Sequence, residues 1–217
     1  ENVVVNKTVS LIGENKETTI IDASGIPVAL STSNIKISGF TIENGHTGIA
    51  NYFDGPPPWK SDNNTISDNQ IKDCSTSGIR LSRFSDGNTI SNNLIVKNGF
   101  AGIHLEESDA NIIAGNTITN HSYANILFYP SSNNTISANM IEYSEAYGIG
   151  LFLDSGNNVI VGNTVTNNEV GIYGGFSNRI YHNNFMNNTR QAYSSGSVNV
   201  WDDGYPSGGN YWSDYTG

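Results

Sequence analysis

A short motif, Asn-x-Ile followed by a second Asn and another apolar pair, recurs along most of this chain at a nearly fixed interval. In its clearest copy, Asn88-Thr89-Ile90 is followed by Asn93-Leu94-Ile95 and then by Gly102-Ile103-His104-Leu105. The first asparagines of successive copies step by 24, 23, 23, 24 and 20 residues, and they are Asn64, Asn88, Asn111, Asn134, Asn158 and Asn178. A fixed period of this length predicts a solenoid, because each repeat buries its apolar face only against its neighbours.

The apolar residues within each repeat alternate, and the runs are too short and too rich in Asn, Ser and Gly for helices. Three short strands per coil fit this pattern, and like residues in stacked coils lie about 4.8 Å apart. The sequence therefore predicts an all-β fold, a single-stranded right-handed parallel β-helix of about nine coils. It also predicts one buried column made of Ile66, Ile90, Ile113, Ile136, Ile160 and Ile180.

Two columns of asparagine accompany the isoleucines. The second column steps identically to the first and contains Asn69, Asn93, Asn116, Asn139, Asn163 and Asn183. Asparagine tolerates left-handed backbone and its amide forms ladders between stacked strands. We expect these asparagines to be structural, with left-handed backbone at the turns and side chains bonded to the neighbouring coil.

The composition changes near the end of the chain and within one insertion. Residues 1–200 are predicted to form the β-helix, and residues 201–217, which are rich in Gly, Trp and Tyr, a segment that caps the last coil. The insertion runs from Tyr52 to Asp62 with three consecutive prolines before Trp59. Consecutive prolines favour extended backbone, so we expect this loop to stand off the stack.

The repeat and the tail Gly-Tyr-Pro-Ser-Gly-Gly-Asn-Tyr-Trp-Ser-Asp at 204–214 resemble NosD-like, carbohydrate-binding and sugar-hydrolysis β-helix proteins of archaeal and bacterial cell surfaces. The family label also mentions copper, which binds clusters of His, Cys or Met. Here the histidines fall on different coils, at His46, His104, His121 and His182. We therefore expect no metal site and no cofactor.

Composition narrows the choice of partners. The net charge is −10 and the pI about 4.6, which disfavours nucleic acid because binding to phosphates requires a basic surface. No apolar run is long enough for membrane insertion. The only cysteine, Cys74, excludes an internal disulfide and is expected to be a buried, unreactive residue. We expect an extracellular or cell-surface location.

Candidate functional residues come from the strand that contains Gly-Ile-x-Leu, because alternation turns every second side chain outward. Arg80, His104 and Glu106 supply acid, base and cation groups on adjacent coils and are the candidate catalytic residues. Rings that stack on sugars and a nearby carboxylate are the candidates for carbohydrate binding: Tyr52, Trp59, Tyr129, Phe152, Asp154 and Tyr173.

Two functions fit these residues. The favoured one is a non-catalytic surface module that binds polysaccharide or packs against neighbouring surface proteins, with end-to-end self-association through residues 2–5 and 201–215. The alternative is a lyase, glycoside hydrolase or epimerase acting on acidic polysaccharide. The catalytic motifs of polygalacturonases and alginate epimerases are absent from the sequence, which favours the module.

Overall fold

The computed structural model describes residues 2–51, 60–194 and 198–216, and within these ranges it contains 26 short strands and no helix. Every strand but the last pairs in parallel with the strand three places before it, the strand three places after it, or both, and the last strand pairs with the strand two places before it. The chain thus winds as a right-handed parallel β-helix of about nine coils, with three strands per coil, which confirms the predicted fold. The described residues include no helix long and apolar enough to cross a membrane.

The strands form three sheets, named here A, B and C. Sheet A contains β1 Val3–Val5, β4 Val28–Leu30, β7 Ile49–Asn51, β10 Ser77–Ser82, β13 Ala101–Glu106, β16 Ala124–Tyr129, β19 Tyr147–Gly156, β22 Val170–Phe176 and β25 Arg190–Tyr193. Sheet B contains β2 Ser10–Ile12, β5 Lys36–Ser38, β8 Thr65–Ser67, β11 Thr89–Ser91, β14 Ile112–Ala114, β17 Thr135–Ser137, β20 Val159–Val161 and β23 Arg179–Tyr181. Sheet C contains β3 Ile20–Asp22, β6 Thr41–Glu43, β9 Gln70–Lys72, β12 Leu94–Val96, β15 Thr117–Thr119, β18 Met140–Glu142, β21 Thr164–Thr166, β24 Asn184–Met186 and β26 Tyr211–Trp212.

One narrow apolar core runs through the stack. The six isoleucines of the predicted column are completely buried, and consecutive members are register partners in sheet B. Matching columns from sheets A and C, such as Ile103 with Ile126 and Ile95 with Ile118, complete this core. The buried column is therefore confirmed.

The asparagine columns tie each coil to the next. The Oδ1 atom of Asn116 accepts the backbone N–H of Asn93 at 2.9 Å, and its Nδ2 atom donates to Oδ1 of Asn139 at 3.0 Å. The predicted bonding between coils is confirmed, but the predicted left-handed backbone is wrong. That conformation belongs to the exposed residue just before each ladder asparagine, such as Asn92 with φ 56°. Because the exposed residue makes the turn, the ladder asparagine can direct its amide at the asparagine of the neighbouring coil.

A third polar column, which the sequence did not predict, lies between sheets C and A and contains Cys74, Asn98, His121, Ser144, Asn168 and Asn188. The His121 Nδ1 atom lies 2.7 Å from Oδ1 of Asn125, and its Nε2 atom lies 3.2 Å from Nδ2 of Asn98. An amide donates only from nitrogen, so Asn98 donates to Nε2 and Nδ1–H donates to Asn125. Burial lowers the pKa of His121 to about 4, so this ring is neutral at pH 7.

The last coil meets part of the aromatic tail. The ring of Trp212, in β26, stacks on Phe185 with centroids 4.7 Å apart, and Trp201 packs against the same end of the core. We propose that residues 201–217 serve as the cap. At the first coil, Ile12 and Ile20 are exposed. End-to-end self-association through the two termini stays a prediction.

Candidate functional site

The outer face of sheet A carries a strip of aromatic side chains, called the aromatic strip below. It comes from five successive coils and consists of Phe100, Tyr123, Tyr129, Tyr147, Phe152, Tyr173 and Tyr193. Four coil steps of about 4.8 Å give the strip a length of about 19 Å along the solenoid axis. Tyr193 is 37% exposed and the other six rings are half-buried, so the strip faces solvent rather than the core.

The rings of the strip overlap one another. Phe152 lies between Tyr129, with centroids 5.1 Å apart and planes at 17°, and Tyr173, at 4.9 Å and 27°. Tyr173 in turn stacks on Tyr193 at 5.2 Å and 5°. Carbon atoms in contact lie about 3.5–4.0 Å apart, which is less than the distances between these ring centroids. The near-parallel rings are therefore offset sideways, and each covers part of its neighbour. The strip therefore exposes ring edges and the uncovered parts of ring faces to solvent.

Small residues beneath the rings make this arrangement fit. Gly150 is the register partner of Leu127 and Tyr173 on the outer face of sheet A. A Cβ atom added to Gly150 would lie 2.7 Å from the Phe152 ring. The Leu127 side chain lies on the same outer face and is completely buried under the rings. Ala124 is buried beside Leu127. The strip thus has its own apolar floor, separate from the core inside the solenoid.

The candidate catalytic residues come together at one end of the strip. Arg80 and His104 are register partners on β10 and β13, and the Arg80 Nη2 atom lies 2.6 Å from Oε2 of Glu106. The His104 ring lies edge-on to Phe100 and Tyr129, with centroids 5.9 and 5.8 Å away. The three residues are therefore continuous with the aromatic strip.

His104 is enclosed at this position. Burial, followed by the nearby Arg80 charge, lowers the pKa of His104 to about 4, so its ring is neutral at pH 7. Its Nε2 atom is buried and has no hydrogen-bond partner. A general base must come within hydrogen-bond reach of the proton that it removes. The Nε2 atom of His104 could do so only if the ring left its place between Phe100 and Tyr129.

Other candidate residues lie beside the strip or outside the described ranges. Asp154 is exposed and follows Leu153 in β19, where the register with β22 shifts between Leu151 and Gly156. Leu153 is 69% exposed and has a left-handed φ of 52°, so this irregularity displays an apolar side chain next to Phe152. Tyr52 and Trp59 lie outside the described residues.

Four rings of the strip were not among the sequence candidates, namely Phe100, Tyr123, Tyr147 and Tyr193. Phe100 and Tyr123 precede strands β13 and β16, and Tyr147 is the register partner of Ala124 at the start of β19. The signal that could have found these three is an aromatic residue one or two places before the Gly-Ile or Asn-Ile pair in three consecutive repeats. Tyr193 continues the outward column of Tyr173 after the repeat loses its pattern.

The donor groups of the described residues do not fit copper. No group of three His, Cys, Asp or Glu side chains in these ranges lies close enough together to hold a metal ion. Cys74 is buried, and burial raises the pKa of its thiol to about 11, which disfavours the thiolate that binds metals. The described side chains therefore offer no site suited to copper.

The fold and the strip define a parallel β-helix protein with a solvent-facing aromatic surface on one sheet. The chain belongs to the NosD family: the family model described as periplasmic copper-binding protein (NosD) matches residues 2–217. Among curated proteins, no sequence matches this chain.

Several solved structures share the fold at low sequence identity. The periplasmic alginate epimerase AlgG has a TM-score of 0.70 and 18% identity over 84% of this chain and 48% of its own. DFA-IIIase from Arthrobacter chlorophenolicus A6, in complex with DFA-III, has a TM-score of 0.61 and 16% identity over 73% of this chain and 39% of its own. The Dettilon tailspike protein has a TM-score of 0.54 and 13% identity over 97% of this chain and 60% of its own. The chain thus spans less than half of the first two proteins.

Proposed function

We propose that this protein is a non-catalytic extracellular β-helix module that binds polysaccharide through the aromatic strip. The observation that carries the proposal is the row of seven contiguous rings outside sheet A, where the solenoid core does not require them. A contiguous solvent-facing apolar surface on a soluble protein is typical of an interaction site. Aromatic rings, with hydroxyl groups on five of the seven here, suit sugars, which present both C–H groups and hydroxyls.

The composition of the chain and one protein of the same fold support a carbohydrate ligand. Charged residues make up only 14% of the chain, and Asn, Ser and Thr supply many of its polar groups. AlgG, which shares the fold, is an alginate epimerase, and it is periplasmic. By analogy with AlgG and with the family description, we place this module outside the cytoplasm, with polysaccharide or a neighbouring surface protein as its partner.

The second candidate function is modification of polysaccharide by Arg80, His104 and Glu106, and their mutual contact favours it. Two features weigh against it. Glycoside hydrolysis requires two carboxyl groups across the scissile bond, whereas this contact group contains one, Glu106, which is paired with Arg80. His104 is enclosed by rings, which hinders access to a substrate.

The proposal predicts that Tyr129→Ala and Phe152→Ala each weaken retention on polysaccharide about tenfold, a typical loss for a central aromatic contact. Affinity gel electrophoresis against a panel of neutral and uronate polymers measures this. The matched control is Tyr181→Ala, which removes a half-buried tyrosine from sheet B and should leave retention unchanged. Thermal unfolding of each variant checks that the solenoid remains intact.

Two results would overturn the proposal. Retention that is unchanged in Tyr129→Ala and Phe152→Ala would place the binding surface elsewhere. Polymer cleavage or epimerisation that disappears in His104→Ala or Glu106→Ala would instead establish the enzyme.

A further inference from the structure

Charged side chains lie at both ends of the aromatic strip. At one end Arg80 and Glu106 form an ion pair of 2.6 Å. At the other end the guanidinium carbon of Arg190 lies 4.9 Å from the centroid of the Tyr193 ring. The central coils, β16, β19 and β22, place uncharged residues outward: Ala124, Leu127, Tyr129, Tyr147, Gly150, Phe152, Val170 and Tyr173.

His104, which borders the strip, and two tyrosines within it have pKa values shifted toward the uncharged form. His104 is neutral because burial, followed by Arg80, lowers its pKa to about 4. Burial, followed by a hydrogen bond to Tyr129, raises the pKa of Tyr123 to about 12. Burial also raises the pKa of Tyr147. A ligand on the central strip therefore meets rings and hydroxyl groups but no cation.

Exposed groups of both signs lie at the edge of sheet A, with Arg83 directly after β10 and acidic groups on the later coils. Glu107, directly after β13, and Asp154, within β19, are both exposed at the edge of sheet A. The chain as a whole carries a net charge of −10. A polyuronate carries one carboxylate on each sugar, so several carboxylates would lie along about 19 Å of strip without a central cation and against a repulsive field.

We propose that the ligand of the aromatic strip is an uncharged polysaccharide, such as a neutral glucan or xylan, and not a polyuronate. This inference rests on the proposed function and narrows it. It separates this protein from AlgG, whose polymer is alginate, although the two share the fold. The neutral chain is held by C–H contacts with tilted rings and by hydrogen bonds to tyrosine hydroxyl groups, neither of which depends strongly on salt.

The first experiment compares retention of the unmodified protein on neutral glucans and xylan with retention on alginate and polygalacturonate, at low and high salt. The expected result is retention on at least one neutral polymer that is insensitive to salt, and little retention on the polyuronates. Retention on polyuronates alone would overturn this inference and leave the proposed function standing. Retention on neither class would overturn both.

A pair of variants adds an internal test. Val170→Arg places a cation among the central rings, because Val170 is the register partner of Tyr147 and Arg190. Val159→Arg makes the same change of charge on sheet B, where Val159 is the register partner of Thr135 and Arg179. We expect Val170→Arg to raise retention on alginate about fivefold at low salt, the effect of one exposed ion pair, and Val159→Arg to leave it unchanged. Equal gains in both variants, or no gain in a folded Val170→Arg, would contradict the inference.

Discussion

At the scale of single residues, His121 shows how a buried ladder can contain a titratable group. Its neutral ring bridges Asn98 and Asn125 inside the third polar column, and burial lowers its pKa to about 4. In the unfolded chain the pKa of histidine is about 6.5. A lowered folded pKa means that this contribution to stability is complete above pH 6.5 and is lost as the pH falls toward 4. His104 contributes in the same direction.

We predict that acidification from about pH 6.5 to about pH 5 lowers the free energy of unfolding by about 2 kcal/mol through His121 alone. His121→Asn places the usual ladder residue at this position, so its acid-induced loss should be about 2 kcal/mol smaller. His46→Asn, at an exposed position, should keep the full loss. Urea unfolding at the two pH values measures the difference, and equal acid sensitivity in all three proteins would refute this explanation.

At the scale of elements, register depends on the repeat, and it could be predicted wherever the repeat is unbroken. The isoleucine column and two asparagine ladders were predictable because their spacing is nearly constant. The third ladder was not, because Cys74, His121 and Ser144 interrupt it with different side chains. Strand alternation predicted that Tyr129 faces outward, but Phe100 was missed because it lies before its strand. Contact between the rings depends on tertiary structure, for example on the space that Gly150 leaves for Phe152. A local sequence pattern carries no information about that space.

The ladders themselves make a testable claim about how coils are joined. Asn116→Ala removes an amide that accepts the N–H of Asn93 and donates to the carbonyl of Ile90, leaving buried polar groups unpaired. Each such group costs about 1–3 kcal/mol, so we predict a loss of at least about 2 kcal/mol in the free energy of unfolding. Asn92→Gly is the matched control, because Asn92 is exposed and glycine readily adopts its φ of 56°. Urea midpoints that fall equally in both variants would show that the ladder amides add no more to the free energy of unfolding than an exposed turn residue does.

At the scale of the whole molecule, the solenoid separates stability from recognition. Isoleucine columns and asparagine ladders hold the coils together from inside, and the outer face of sheet A is then free to carry rings in register. Because each coil adds about 4.8 Å, a ligand that extends along the axis meets equivalent positions repeatedly. This geometry suits a polymer better than a compact ligand, and it is the basis of the proposed binding of polysaccharide.

Side-chain footprinting by oxidative labelling and mass spectrometry, with and without a neutral polysaccharide, shows directly whether the polymer lies along sheet A. We predict that the polymer protects Tyr129, Phe152 and Tyr173 on sheet A and leaves Tyr181 on sheet B and Tyr205 in the tail as reactive as before. The unmodified protein provides both the test and the control residues, so no variant has to fold. Bound polymer that protects Tyr181 or Tyr205 while the sheet A rings stay reactive would contradict the account.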